Sequence, residues 1–366
     1  MNGRNLKILF VLNDLGFGGA ERTVSYLSDY LCKCGDEVVV GLFKNKVDYD
    51  LNGEVGVLCG NISDESTNPV NRVLSIIKRI IFLRKVIHKE KPDLVFFMMA
   101  SLARYSLYPR FRKYKIIVSE RGNPKFLSRK GLRFERKAFK KCDGSIFQTN
   151  RVQQFFNDVI STKSVVIPNA VGNEQAVSIN WNPSGRKTVS AVGRLVWDKD
   201  YPLMIEAFNL FWEKHKDYSL EIYGDGDQKD ELKELIASLP SANNIFLMGS
   251  SREVVKKISD SDCYIITSIF EGMPNSLIEA MAVGMPCISS DCEYGPAELI
   301  TDGYNGLLVP VGDVKATAEA LTRMIDDPSF AVECGRNARK ILEYQNIDVI
   351  CSRFRDFFES VAFGNE

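Results

Sequence analysis

Short apolar runs alternate with longer amphipathic stretches along most of the chain. The runs Lys7–Leu12, Glu37–Phe43, Leu94–Met98, Lys115–Ser119, Ser145–Gln148 and Val165–Ile167 read as strands. After a turn-rich segment they resume at Thr188–Val192, Ser219–Tyr223, Asn244–Met248, Cys263–Ser268, Pro286–Ser289 and Gly306–Val309. Helical stretches separate most of them. That alternation predicts parallel sheets wrapped by helices, the doubly wound α/β pattern, and two sets of strands predict two such domains in tandem. The boundary falls near Ile167-Pro168-Asn169, and Asn180–Arg186 (NWNPSGR) is a loop on composition.

Length agrees with this division, because 366 residues exceed the size at which one hydrophobic core keeps growing. Nine cysteines are scattered without a C-x-x-C pair or a histidine partner. Neither a disulfide framework nor a zinc site is expected, and a reducing cytosol fits. The first apolar run, Ile8 to Leu12, is followed at once by Asn13-Asp14 and reads as a buried strand instead of a signal peptide. No stretch of about 18 uncharged residues predicts a membrane span.

Formal neutrality hides a division of charge. Residues 1–170 hold 29 Lys+Arg against 16 Asp+Glu, a net +13, and residues 171–366 hold 18 against 31, a net −13. Within 104–141 stand 14 basic and 2 acidic side chains, interleaved with Tyr105, Tyr108, Phe111, Tyr114, Phe126, Phe134 and Phe139. Such a stretch forms solvated helix faces or meets an anionic membrane interface; a nucleic-acid backbone is the weaker fit and is not expected as a partner. Arg72–Lys91 (RVLSIIKRIIFLRKVIHKEK) alternates basic and apolar residues at helical spacing, as a membrane-surface helix or a sheet-covering one would.

In doubly wound sheets, ligands bind outside the carboxyl ends of the strands, and two such sheets facing one another would form a cleft. The residues that follow strands therefore carry the functional question. After the first strand comes Asn13-Asp14-Leu15-Gly16-Phe17-Gly18-Gly19-Ala20-Glu21-Arg22. Its glycines let backbone N–H groups approach a phosphate at a helix start, or simply make a tight turn. As a dinucleotide fingerprint it fails, because Glu21 breaks the spacing and the second strand ends at Lys44 without an acid for a ribose. After Thr188–Val192 comes Gly193-Arg194-Leu195-Val196-Trp197-Asp198-Lys199-Asp200, with Pro202 opening a helix. Arg194 and Lys199 at a sheet's carboxyl edge suit a departing diphosphate, each charge-assisted bond contributing about 1.5–3 kcal/mol. Surface salt bridges with Asp198 or Asp200 are the structural alternative.

Gly224-Asp225-Gly226-Asp227 follows the next strand, with Asp227 as the expected N-cap of a helix from about Gln228. Its D-x-D also hints at a divalent metal, but the same spacing occurs at 48–50, 198–200 and 260–262, so a strand-to-helix turn is the better reading. The strongest signal is Phe270-Glu271-Gly272-Met273-Pro274-Asn275-Ser276-Leu277-Ile278-Glu279-Ala280-Met281. Asn275 or Ser276 is expected to cap a helix ending at Gly284. Its loop N–H groups and dipole favour an anion, and Glu271 and Glu279 can accept hydroxyl hydrogens from sugar rings. Ser276-x-x-Glu279 is equally a capping box, a purely structural device. Gly295-Pro296-Ala297-Glu298 makes a further loop at the same edge.

Taken in order, these positions resemble the retaining GT-B glycosyltransferases of family 4. The resemblance covers nearly the whole chain: Gly18 to Arg22, Ile167-Pro168-Asn169, Gly193-Arg194…Lys199, Gly224-Asp225-Gly226, the E-x7-E element Glu271…Glu279, and Gly295 to Glu298. It implies a GT-B fold of two Rossmann-like domains facing a cleft: an acceptor-binding domain at 1–168, a nucleotide-sugar-binding domain at 169–347, and a final helix within 348–366 crossing back. It implies that Arg194 and Lys199 hold the donor diphosphate, with Gly193 and Gly224 beside it. Glu271 contacts the transferred sugar together with Gly272, Met273, Pro274, Asn275 and Ser276, and Glu279 binds the ribose. Gly18 and Gly19 face the donor phosphate. No metal and no cofactor are implied.

One departure from the family is plain. Many members carry a histidine after a strand of the first domain, where this chain reads Val118-Ser119-Glu120-Arg121-Gly122-Asn123-Pro124. Arg121 stands there, to bind phosphate of donor or acceptor or to shape the loop; His88 and His215 follow no strand. The implied reaction is transfer with retention from a nucleoside-diphosphate sugar, uridine being the expected base. The implied acceptor is a polyprenyl-diphosphate-linked glycan of a bacterial surface polysaccharide, at the inner face of the cytoplasmic membrane. A nucleotide-sugar 2-epimerase of the same architecture, or an inactive membrane-associated partner subunit, are the alternatives.

Overall fold

The computed structural model describes residues 5–16, 18–62, 68–105, 114–172 and 174–364. Phe17, Tyr108, Phe111, Arg110, Arg112 and Lys113 lie outside the described residues. The chain divides into two compact units, Met1–Gly172 with Ile347–Glu366, and Asn173–Asn346.

The first unit holds a seven-stranded parallel sheet in the order β3-β2-β1-β4-β5-β6-β7. Its strands are β1 Lys7–Leu12, β2 Glu37–Leu42, β3 Gly56–Cys59, β4 Leu94–Phe97, β5 Lys115–Glu120, β6 Gly144–Phe147 and β7 Lys163–Val166. Among the described residues, four α-helices lie between them: α1 Gly19–Lys33, α2 Pro69–Glu90, α3 Arg129–Lys141 and α4 Asn150–Phe155. The second unit begins with α5 Glu174–Ser178 and carries a six-stranded sheet, order β10-β9-β8-β11-β12-β13. These strands are β8 Thr188–Val192, β9 Ser219–Tyr223, β10 Ile245–Leu247, β11 Cys263–Ile266, β12 Cys287–Ser290 and β13 Leu307–Val309. Around them lie α6 Tyr201–Trp212, α7 Lys229–Ala237, α8 Val254–Ile258, α9 Asn275–Val283, α10 Pro296–Leu299, α11 Val314–Asp326, α12 Pro328–Arg339 and α13 Ile341–Tyr344. Both sheets are doubly wound. Among the described residues no helix is long and apolar enough to cross a membrane.

Where pattern and structure differ, hydrogen bonding explains the difference. Strand β3 pairs Val57 with Val40 at a sheet edge yet escapes a reading of apolar runs, because Gly-Val-Leu-Cys is short and half exposed. Asn244 closes a 3-10 turn at Ala242–Asn244 and so stands before β10, and Pro286, with no N–H to give, stands before β12.

The final helix, α14 Ile347–Phe363, belongs physically to the first core. It sends Ile350, Cys351, Phe354, Phe357, Phe358 and Val361 among Phe10, Phe96 and the apolar face of α1. The rings of Phe96 and Phe358 lie 5.1 Å apart and those of Phe10 and Phe96 meet edge-on at 5.5 Å. A buried carboxylate fixes its register: Asp36 accepts from Arg355 Nε at 2.8 Å and from the Leu6 backbone N–H at 2.9 Å. The apolar positions of α14 thus complete a surface that the first seven strands leave open.

A second buried polar cluster stands where β5 ends. Glu120 accepts the N–H groups of Arg121 at 3.1 Å and Gly122 at 2.9 Å and is hydrogen-bonded to Glu135 of α3. The Glu135 side chain is only 3% exposed, and burial together with the Glu120 charge pushes its carboxyl up to about 9. With two backbone donors and Arg121 beside it, Glu120 is the ionised partner. Glu135 keeps the proton and donates it.

Two expectations follow from these cores. Phe354→Ala should cost about 3–5 kcal/mol in the first unit, read as an earlier urea transition by far-UV circular dichroism. Trp181, Trp197 and Trp212 all lie in the second unit, so tryptophan emission should show that unit unaffected; equal loss in both signals would contradict the assignment of α14. For Glu135, the unfolded chain gives up its proton near the ordinary value of 4.5 while the folded chain keeps it to about 9. Stability should therefore fall as pH rises through that window, by at most about 1.4 kcal/mol per pH unit. Glu135→Gln, which has no proton to lose, should gain on the wild type steadily from pH 5 to 8 in urea titrations, and a constant difference would refute the protonated pair.

Candidate active site

At the carboxyl edge of the second sheet, four strands release loops toward one place. After β8 the chain turns through Gly193-Arg194-Leu195-Val196 into a 3-10 turn at Trp197–Lys199. Asp200, held at a left-handed φ of 48°, then caps α6. After β9 it turns at Gly224, where a Cβ would meet the Gly193 carbonyl oxygen at 1.8 Å. No side chain fits there, and the two loops touch backbone to backbone. Gly224 N–H donates to Gly249 O at 3.0 Å and Leu195 N–H to Asp225 O at 3.0 Å, so the pair of loops is built as one piece. A cavity of about 210 Å³ opens beside them, lined by Gly193, Arg194, Tyr223, Gly224, Ser250 and Val254 among others. Arg194 is exposed at its rim and forms no ion pair with the described residues.

Lys199 takes neither of the aspartates beside it in sequence. Its Nζ lies 2.5 Å from Oε1 of Glu271, in the loop after β11, and the two side chains are 17% and 9% exposed. The pair is braced. Ser268 Oγ donates to the same Glu271 oxygen at 2.7 Å, and Ser290 Oγ donates to the Ser268 carbonyl at 2.6 Å. Thr267 Oγ1 donates to the carbonyls of Lys199 and Asp200, each at 3.0 Å, and Ile269 N–H to that of Asp198 at 2.9 Å. A buried ion pair repays its desolvation only when such extra hydrogen bonds hold it in good geometry. Cys292 packs against Glu271, and burial pushes its thiol up to about 12.

The helix that follows begins at Asn275, with Pro274 as its N-cap residue and no side-chain cap. Neither Asn275 nor Ser276 caps it; they form its first turn, and Ser276 instead hydrogen-bonds the Tyr264 hydroxyl. Ser276 is therefore the second helical residue and Glu279 the fifth, so the capping-box reading of this pair fails. Glu279 is 7% exposed within a helix whose residues from Leu277 to Val283 are all buried. Gly295, at φ 90°, comes so close to Gly272 O that a Cβ would meet it at 2.3 Å, which brings the loop after β12 onto the Gly272–Pro274 loop.

The D-x-D at 225–227 makes no metal centre among the described residues. Asp225 accepts from Gly226 N–H at 3.0 Å and pairs with Lys229 at 3.4 Å, and the residue before α7 is Gln228, so Asp227 is not its cap. Sequence reasoning also missed the bracing hydroxyls Thr267, Ser268 and Ser290, which carry no motif of their own. The apolar strand ends that deliver them were their only signal.

The first unit places its two expected elements together. Gly18 is the N-cap residue of α1, without a side-chain bond. The Glu21 carboxylate folds back so near that a Cβ on Gly18 would meet it at 2.1 Å, and it receives its own backbone N–H. The helix N-terminus at Gly18–Gly19 is thus met by a carboxylate of the chain itself. Arg121 reaches the same helix: Nη2 donates to Thr23 Oγ1 at 3.1 Å, with the guanidinium 5.8 Å from the centre of the Phe354 ring. Its Nε and Nη1 are buried without a hydrogen-bond partner among the described residues, and burial pulls its pKa down to about 10. His215 stacks on Phe211 at 4.4 Å and His88 is exposed on α2, so neither stands at a strand end.

Comparison with known proteins agrees in order along the chain. The family model described as Glycosyltransferase Family 4 matches residues 17–175, and that described as Glycosyl transferases group 1 matches residues 174–341. An uncharacterized glycosyltransferase of Methanocaldococcus jannaschii is 27% identical over 270 residues, 66% of each chain. A Campylobacter jejuni enzyme, named as an N-acetylgalactosaminyltransferase acting on a glycan linked to undecaprenyl diphosphate, is 26% identical over 339 residues, 92% of this chain and 93% of its own. The chain spans 66% of the length of the Methanocaldococcus jannaschii relative and only 24% and 36% of that of two other curated relatives that it matches. Among solved structures, sucrose-phosphate synthase of Thermosynechococcus elongatus superposes with a TM-score of 0.83 at 17% identity, over 98% of this chain and 99% of the other. Two models matching in succession and one architecture shared over nearly the whole length lead to a single assignment: the chain belongs to glycosyltransferase family 4 and has the GT-B fold.

Proposed function

We propose that the protein is a retaining glycosyltransferase of bacterial glycan assembly. It moves a hexose or N-acetylhexosamine from a nucleoside-diphosphate sugar, with uridine as the base, to a glycan carried on polyprenyl diphosphate. The observation that carries this reading is the largely buried Lys199–Glu271 pair at the same carboxyl edge of the sheet as the glycine-built cavity edged by Arg194. The relative from Campylobacter jejuni, which shares nearly the full length, supports the class of acceptor through its name.

The division of labour follows from charge. Negative charge grows on the diphosphate as the glycosidic bond breaks, and preorganised cations and amides at that point lower the barrier. Arg194 and Lys199 supply the cations, and the backbone N–H groups of Gly272, Met273, Asn275 and Ser276 at the start of α9 supply the amides. Glu271, held in place by Lys199 and Ser268, accepts hydroxyl hydrogens of the sugar, and Glu279 those of the ribose. Gly193 and Gly224 let the nucleotide approach the backbone. The acceptor oxygen attacks from the face the diphosphate leaves, and the departing phosphate takes its proton. Gly18 and Gly19 add backbone donors toward phosphate once Glu21 swings away. For Arg121, the buried contact with Thr23 favours shaping the 120–124 loop over touching phosphate. The scheme uses no metal and no cofactor. It places the protein at the inner face of the cytoplasmic membrane, where a polyprenyl carrier is reached.

Arg194→Ala should lower the rate of transfer by about 10²–10³-fold while leaving stability within about 0.5 kcal/mol, since the side chain is exposed. Radiolabelled donor, a polyprenyl-diphosphate glycan acceptor and parallel urea titrations check both halves, and full activity in the variant would remove Arg194 from the mechanism. Proton NMR of the product decides stereochemistry: an inverted anomer ends the retaining reading. UDP at 100-fold over its Kd should stabilise the wild type by about 2.7 kcal/mol in a thermal-shift series. Equal response to GDP would refute the choice of base.

A further inference from the structure

Helix α2 turns an apolar stripe away from its own domain. Val70, Val73, Leu74, Ile77 and Ile81 recur at intervals of three and four, so at about 100° per residue they fall within a single arc of the helix surface. They are 65%, 56%, 47%, 45% and 47% exposed. This is not a core face left loose. The core face of α2 lies diametrically opposite, where Arg79, Leu83 and Val86 are 3%, 2% and 5% exposed. Arg79 locks that rotation, donating from Nη1 to the Tyr105 hydroxyl at 3.0 Å with its guanidinium 4.9 Å from the centre of the Phe43 ring. Turning the helix to hide the stripe would bury charge and expose Leu83 and Val86.

Charge around the stripe identifies what covers it. Lys78 and Lys85 run along one edge and Arg84 closes its C-terminal end, all exposed, and no Asp or Glu occurs from Asn68 through Lys89. An aliphatic stripe rimmed by cations alone is complementary to an anionic lipid surface: the branched side chains enter the acyl boundary while lysine and arginine stems reach back to the headgroups. A second copy of this helix fits poorly, because pairing would bring two cationic rims together, with Arg84 in the seam. Helix α3 packs against the same 3-10 turn, Ala100–Tyr105, as α2 does and carries exposed Arg133, Phe134 and Lys137, extending the same chemistry.

We propose that α2 is an interfacial helix, lying in the plane of an anionic bilayer with Val70, Val73, Leu74, Ile77 and Ile81 inserted. The proposal deepens the functional reading above and rests on it, naming the surface through which the protein meets the membrane of its lipid-linked acceptor.

Vesicle flotation tests it with the full chain. The wild type should float with phosphatidylglycerol vesicles and much less with phosphatidylcholine. The double variant Leu74→Glu/Ile77→Glu, altered at exposed positions, should lose about tenfold or more of that binding while keeping its circular dichroism and its stabilisation by UDP. A second variant, Ile77→Trp, gives a gain of signal, its added emission shifting to the blue on phosphatidylglycerol vesicles. Wild-type protein that ignores these vesicles, or a double variant that binds them undiminished, overturns the proposal. So does a wild-type dimer that the double variant turns into a monomer with vesicle binding unchanged, since a second copy would then cover the stripe. Nucleotide response and flotation are read separately. A protein indifferent to every nucleotide whose flotation still depends on the stripe would sink the enzymatic reading and support this one.

Discussion

The second unit is organised around one desolvated ion pair. Lys199 and Glu271 come from loops after β8 and β11, which are neighbours in the sheet although β9 and β10 intervene in the chain. From β8 the sheet grows one way through β9 and β10 and the other way from β11. Such a reversal opens a crevice at the carboxyl edge of a doubly wound sheet, and here the ion pair ties the two loops together across it. An unpaired charge in such a place would be costly, and a pair is tolerated only when its remaining polar atoms are met. Ser268 meets the carboxylate, while Thr267 and Ser290 meet the backbone that carries the pair. Five side chains thus hold two loops in one geometry without a ligand.

Glycine does the complementary work. A preorganised cation is useful only if the reacting group can come near the backbone around it. Gly224 lies against the Gly193 carbonyl and Gly295 against that of Gly272, at distances no Cβ survives. The first contact joins the β8 and β9 loops beside the cavity, and the second joins the β12 loop to the segment leading into α9. Both remove side-chain bulk where the strand ends converge. The same logic explains why the two loops bearing charge are braced by hydroxyls from strand ends: Thr267, Ser268 and Ser290 donate without adding volume at the crevice.

Much of this was legible in the sequence because parallel strands buried on both faces write continuous apolar runs. β1, β8 and β9 have the limits that periodicity predicts. The short edge strand Gly56–Cys59 does not, for its pattern is set by one neighbour and by solvent. The motif positions around Glu271 were readable as a site, yet the sequence left Glu279 divided between capping and binding. Only the helix start settles the structural half: with Pro274 ahead of Asn275, Ser276 stands too late to cap. Lys199 shows the converse limit. Its nearest acids in sequence are Asp198 and Asp200, and strand order, which no local pattern encodes, gives it Glu271 instead.

Arg121 marks where local reading fails most instructively. A cation just past a strand end looks like a ligand group, as Arg194 does, although Arg194 follows the strand where its sheet reverses order and Arg121 follows one farther out. Their surroundings separate them. Arg194 lies at the open rim of a cavity, free to move toward an anion. Arg121 is folded under α1, bonded to Thr23 and set near Phe354 of the last helix, with two of its nitrogens buried and unmet. Its guanidinium tolerates that burial because Glu120, ionised by two backbone donors, lies beside it, and because Glu135 gives up its own charge to keep the pair from repelling. A single proton on Glu135 therefore supports the charge balance of the whole 120–124 loop. The loop's shape is a consequence of α3 and α14 as much as of the residues within it.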